Sequence, residues 1–136
     1  MSEFHVLEVE LEDQDCLVKA LEEVGWKATV HETAVNLHGY QGDRRKQKAH
    51  VVIPRSQVGS ASNDIGFEKV GGKYIAHVSA YDMNRFKTKY LDRINQLYAK
   101  HKVLKTAKMH PSRFKQKSVD VDKEGNIKIR LQVRSM

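Results

Sequence analysis

Cysteine is almost missing. Cys16 stands alone among 136 residues, so no internal disulfide can form, and a reducing compartment is the simpler expectation. No apolar run approaches the roughly 20 residues that a membrane-spanning helix needs. There are only two prolines and one tryptophan, and aromatic residues make up 7% of the chain. The opening MSEFHVLEVELED is acidic from its third residue, which argues against a secretory signal or an arginine-rich transit peptide. No internal repeat and no composition break divides the chain. What is present is 40% apolar and 30% charged, enough to bury one core, and residues 1–136 read as a single domain.

Charge is the most unequal property. The net charge is +7, yet residues 1–24 carry eight acids (Glu3, Glu8, Glu10, Glu12, Asp13, Asp15, Glu22 and Glu23) against Lys19 alone. From Arg93 to Val119 the reverse holds: there are eight bases, including Lys100, Lys102, Lys105 and Lys108, and no acid. A shorter basic run is Arg44, Arg45, Lys46 and Lys48. Such polarity bears on partners and association rather than on fold.

Phe4, Val6, Val9 and Leu11 come near to alternating with polar residues and predict a half-buried strand. Asp13 or Asp15 offers a cap to a short helix carrying Cys16, Leu17, Ala20, Leu21 and Val24, which Gly25 closes. Extended segments follow at Trp26–Val30 and Ala34–Leu37, then a loop at Gly39-Tyr40-Gln41-Gly42-Asp43. Ala49–Ile53 predicts a strand that Pro54 ends at a sheet edge, and Ser56–Asn63 reads as a flexible loop. Gly71-Gly72 between two alternating segments is the clearest hairpin signal. After Asp82, read as a helix cap, Phe86, Tyr90, Ile94, Leu97, His101 and Leu104 form one stripe on a long helix, bounded by Pro111. The terminal alternating segments, separated by a turn at Glu124-Gly125, read as a hairpin or as one long strand with a bend. The expected class is α+β: an antiparallel sheet with a short N-terminal helix and a long helix in the C-terminal half, both packed on one face.

The chemistry-bearing residues were weighed against plainer roles. Cys16 lies in the apolar pattern of a helix, where a free thiol behaves as a small hydrophobe. Seven histidines lack the paired spacing of a structural zinc site, so neither metal nor cofactor is expected. The Gly-Tyr-Gln-Gly loop lacks the spacing of a phosphate-cradling motif, but Arg44, Arg45 and Lys48 follow it and could hold phosphate oxygens. The acid-free helix does not look like a mixed-sign solvated face; its Lys100, Lys102, Lys105 and Lys108 suit phosphate tracking. Asp64, Asp82, His38 and His50 are the candidates for a pocket, with no second carboxylate spaced to suggest a catalytic pair.

Gly39-Tyr40-Gln41-Gly42, Ala49-His50-Val51-Val52, Asp64-Ile65-Gly66-Phe67 and Tyr74 with Ala80 and Asp82 recur in the order of a known pattern. With Met1–Phe4, Tyr98–Ala107 and Gly125–Leu131, they cover most of the chain. This pattern resembles the hypothetical chloroplast reading frame thirty-five family, found in plastids, cyanobacteria, other bacteria and some viruses, with no settled role. A cytoplasmic protein is expected, or a plastid-stromal one if the gene is plastid-encoded, and the lysine richness is compatible with a phage or viral source. His38 and His50 stand where that family favours arginine and aspartate, which puts any ion pair between those positions in doubt. The loop around Ser56–Ser62 is also longer than usual in the family.

The function expected from these observations is non-catalytic docking of a polyanion, RNA or single-stranded DNA. Its contacts would be Tyr40, Gln41, Arg44, Arg45, Lys48 and the basic helix. An adaptor that binds an acidic protein surface is the alternative; the resemblance implies an AAA-class ATPase as such a partner, since some bacterial members of that family are encoded beside one. An enzyme built on the Asp64, Asp82, His38 and His50 pocket is the third reading.

Overall fold

The structure, a computed structural model, describes residues 2–110, 114–121 and 127–133; past His110 the side chain described is that of Ile127. The first strand, β1 (Phe4–Leu11), is followed by helix α1 (Gln14–Glu23), whose N-cap is Asp13: its carboxylate accepts from the Cys16 amide at 3.1 Å. Gly25 ends α1 with φ at +96°, a left-handed conformation that costs glycine little. Strand β2 (Thr29–His38) pairs antiparallel with β3 (Arg44–Ile53), and β3 pairs with β4 (Ile65–Val70). Strand β5 (Lys73–Ser79) pairs with both β4 and β1. The sheet order is β1-β5-β4-β3-β2, antiparallel throughout. Gly71 and Gly72, at φ +59° and +84°, make the predicted β4–β5 turn.

The fold class is the expected α+β, and several local expectations need correction. Trp26 precedes the second strand and is buried in the core, stacked against Phe86 and tilted onto Tyr90 at 4.1 Å. The two extended segments are one strand, β2, bulged between Val30 and Val35. Strand β3 begins at Arg44 rather than Ala49, so the basic run lies in the sheet. Pro54 does not mark an edge, because β3 is flanked on both sides. It follows the last strand residue, so its missing amide costs the ladder nothing.

The stretch expected to be a flexible loop opens as a short helix, α2 (Arg55–Val58), and continues into Ser62 and Asn63, both buried. The cap of the next helix, α3 (Ala80–Arg85), is Ser79 rather than Asp82; the Ser79 hydroxyl accepts from the Asp82 amide at 3.2 Å. A π-helical turn (Phe86–Tyr90) joins α3 to α4 (Leu91–Met109). Strands β6 (Phe114–Val121) and β7 (Ile127–Val133) form a terminal hairpin; Pro111 and the Glu124-Gly125 turn lie outside the described residues.

One face of the sheet carries the main core. Val51, Ile53, Ile65, Phe67, Tyr74, Ala76 and Val78 meet Leu17, Ala20 and Leu21 of α1, Phe86 of the π turn, and Ile94 and Leu97 of α4. Val52, which alternates with Val51 and Ile53 on β3, joins Phe4, Leu37 and Ala49 in a smaller cluster. Gly66 sits beneath it and lacks a Cβ for a steric reason: a methyl there would meet the Ala49 Cβ at 2.5 Å and Leu37 Cδ2 at 2.8 Å.

Candidate functional site

Two carboxylates organise the edge of the molecule around the glycine loop. Asp64 accepts the His38 amide on Oδ2 (2.7 Å) and the Arg55 amide on Oδ1 (2.8 Å), while its own amide donates to the His38 carbonyl. Asp82 accepts from the Ser62 hydroxyl, the Asn63 amide and the Ser79 hydroxyl at 2.8–3.1 Å. Asn63 completes the link: its Oδ1 accepts from the Tyr40 amide and its Nδ2 donates to Ser79 Oγ. Both acids are buried, and buried carboxylates need such donors. They therefore tie the β2–β3 loop, the segment before β4 and the start of α3 into one rigid edge.

Of the four pocket candidates, the structure brings two together. His38 Nδ1 lies 3.6 Å from Asp64 Oδ2, and both line a cavity of about 610 Å³ with His31 and Arg55. Asp82 is held behind them by serine and asparagine. His50 is elsewhere, its Nδ1 accepting the Lys69 amide where β3 and β4 part.

The basic helix is the main correction. Its lysines are not uncompensated, because α4 packs beside α1 and meets the acids of the N-terminal segment. Lys105 Nζ contacts Asp13 Oδ2 at 2.6 Å and Asp15 at 3.7 Å, Lys102 approaches Asp13 at 3.5 Å, and Lys100 contacts Glu23 at 2.7 Å. The acid-free run is acid-free in sequence only. Burial raises the Asp13 carboxyl, but the bonds from Lys105 and from the Cys16 amide outweigh it and hold Asp13 well below the usual carboxylate range. Lys105 is shifted upward by the same bond. Tyr98 closes this interface, its hydroxyl accepting the Glu12 and Asp13 amides at 3.0 and 2.9 Å. Lys108 is exposed, with no ion pair among the described residues.

Cys16 lies in the same interface, 2% exposed, and burial pushes its thiol up, as suits an inert core cysteine. Among the described residues no group of three histidine, cysteine or acidic side chains is placed to hold a metal, and no helix is long and apolar enough to cross a membrane.

The other basic run stays open. Exposure alternates along β3: Arg44, Lys46 and Lys48 are exposed, while Arg45 and Gln47 are half-buried. Arg44 donates to the Asn36 side chain. Arg45 turns inward instead, bonding Asp43 at 2.7 Å and lying 5.4 Å from the centre of the Phe4 ring. It is a clamp between loop and sheet, not an outward contact. Tyr40 is 39% exposed at the loop, with its hydroxyl accepting from Gln41 Nε2. A cavity of about 520 Å³ lies beside the row, lined by Glu3, Phe4, Arg44, Arg45, Lys46 and Gln47.

Lys46, absent from the expected contacts, is exposed in the same row as Arg44 and Lys48; the period-2 alternation from Arg44 to Lys48 was the available signal. Sequence reasoning missed Arg85, Lys87 and Lys89, all exposed at the π turn. Arg85 and Lys89 lie 5.7 and 5.6 Å from the centre of the Tyr90 ring, and Arg85 donates to the Val58 carbonyl. No signal marked them, because the helical stripe draws attention to the buried Phe86 and the half-buried Tyr90 beside them.

Comparison with curated proteins and with solved structures returned no match. The match that exists is to a family model covering residues 20–130, from the end of α1 into β7, and by that extent the chain belongs to a family described as protein of unknown function (DUF1257).

Proposed function

We propose that the chain docks a polyanion, RNA or single-stranded DNA, through strand β3. Arg44, Lys46 and Lys48 contact phosphates, and Tyr40 offers a ring on which a base stacks. One observation carries this reading. The three β3 bases are exposed and meet no carboxylate among the described residues, whereas Lys100, Lys102 and Lys105 of α4, which looked equally free, are paired with Asp13 and Glu23. The neighbouring cavity supports it, with three bases and a single acid, Glu3, on its lining. The contact set is thus the loop and β3, and Lys100, Lys102 and Lys105 leave it for a structural role.

Fluorescence anisotropy with a labelled single-stranded oligonucleotide across a salt series tests the reading. Three phosphate contacts give a slope of log K against log salt of about −2. The Lys46→Glu/Lys48→Glu variant weakens binding at least tenfold with an unchanged melting temperature. Absence of binding at about 50 mM salt, where such contacts are strongest, overturns nucleic acid as the polyanion. In that case, recovery of the same protein partner by pull-down after nuclease treatment assigns the row to an acidic protein surface, the adaptor alternative.

A further inference from the structure

The cavity of about 610 Å³ that holds His38 and Asp64 has no part in polyanion docking: Arg44, Lys46 and Lys48 do not line it. Its construction is specific. One carboxylate, Asp64, fixes the backbone of two lining residues from opposite sides, through the His38 amide on one oxygen and the Arg55 amide on the other. Each Asp64 oxygen thereby has a backbone donor, so both oxygens are engaged at the base of the site. The side chains left to set the character of the cavity are then Arg55, His31 and His38. Arg55 is half-buried, and its guanidinium has no hydrogen-bond or ionic partner among the described residues. His31 uses Nε2 on the Thr29 hydroxyl, leaving its other ring nitrogen unengaged. Val35 and Val52 add an apolar wall, and the volume is that of a small-molecule site.

We propose that this cavity binds a small organic phosphate monoester. The phosphate sits on Arg55, whose planar fork takes two oxygens. The histidines come from β2, a different element of the lining, and reach a third. A planar carboxylate has only two oxygens to share between Arg55 and the histidines, whereas a tetrahedral phosphate presents three. The apolar body of the ligand rests on Val35 and Val52. The site does not depend on the polyanion reading, since it shares none of the three β3 bases.

Phenyl phosphate is the probe, titrated into the full chain by calorimetry and followed by amide chemical shifts, with inorganic phosphate and benzoate as comparators. Phenyl phosphate shifts the amides of Val35, His38, Val52 and Arg55 and binds at least tenfold more tightly than either comparator. Arg55→Gln loses at least tenfold in affinity, while Lys46→Glu/Lys48→Glu binds it normally. If Arg55→Gln does not fold, the His31→Gln/His38→Gln variant carries the same expectation. Unchanged affinity in a folded Arg55→Gln or His31→Gln/His38→Gln protein, or shifts confined to β3 bases, overturns the site. Equal binding of benzoate overturns the phosphate assignment, and equal binding of inorganic phosphate overturns the role of the apolar wall.

Discussion

Two residues show how little freedom the centre of the sheet has. Gly66 is placed by contact distance rather than by backbone angle, since Leu37 and Ala49 occupy the space where a side chain would begin. Gly66→Ala therefore destabilises the fold by about 1–3 kcal/mol, the cost of overpacking a dense core, and urea unfolding measures it. An unchanged midpoint would mean that the small cluster yields easily. Asp64 makes the opposite kind of demand. Its two oxygens accept two backbone amides, and asparagine offers one oxygen and one NH₂ group to the same two donors. Asp64→Asn leaves an amide unpaired and costs about 1–3 kcal/mol, with the loss of protection in hydrogen exchange expected first at His38 and Arg55.

Both residues stood out in the sequence only as parts of a pattern. Asp64 was legible as a pocket candidate because a lone acid before an apolar strand is unusual. Its partners were not, because backbone amides from β2 and α2 carry no sequence signature. Ser62 and Asn63 were misread for a related reason: a polar, small-residue stretch has loop composition whether it is solvated or wrapped around a buried carboxylate.

At the scale of elements, the α1–α4 interface governs the response to acid. Asp13 and Glu23 are both held below the usual carboxylate range; burial opposes this, and the Lys105 and Lys100 bonds prevail. Groups with depressed folded values stabilise the protein above their unfolded values, near 4, and lose that contribution as pH falls through the folded ones. His101 is also depressed, because burial outweighs Glu23 at 3.4 Å. Its contribution as a neutral ring is complete above about pH 6.5 and declines below it. The urea midpoint therefore falls in two stages on acidification, one below about pH 6.5 and a steeper one below about pH 4. His101→Gln removes the first stage, and Lys105→Met blunts the second. A midpoint constant from pH 7 to pH 3 would contradict this account of the interface. Lys105, shifted upward, adds a contribution lost only at strongly alkaline pH.

The helical stripe from Phe86 to Leu104 was legible because buried positions at helical spacing leave a period in the sequence. The π turn at Phe86–Tyr90 was not, since one extra residue per turn still leaves Phe86 and Tyr90 facing Trp26.

Over the whole molecule, charge is arranged in two unlike ways. Lys100, Lys102 and Lys105 of α4 are paired with Asp13 and Glu23, and Arg44, Lys46 and Lys48 of β3 meet no carboxylate among the described residues. The two sets of lysines should therefore separate by experiment. Lys100→Gln/Lys105→Gln lowers the melting temperature by a few degrees and retains oligonucleotide affinity. Lys46→Glu/Lys48→Glu does the reverse. Melting curves and anisotropy on the same four-residue set check this, and a common effect of both variants would remove the distinction.

The sequence by itself determined what is periodic or local: the α+β class, an aspartate cap at Asp13 or Asp15, the Gly71-Gly72 hairpin, the long helix and the terminal strands. These follow from hydrogen-bond geometry and side-chain spacing within a few residues. Tertiary structure alone decided which charges are spent. Asp13 and Lys105 are 92 positions apart, and an electrostatic pair at that separation leaves no trace in composition or period. It exists because two helices, each burying an apolar stripe on the same sheet face, are forced to lie side by side.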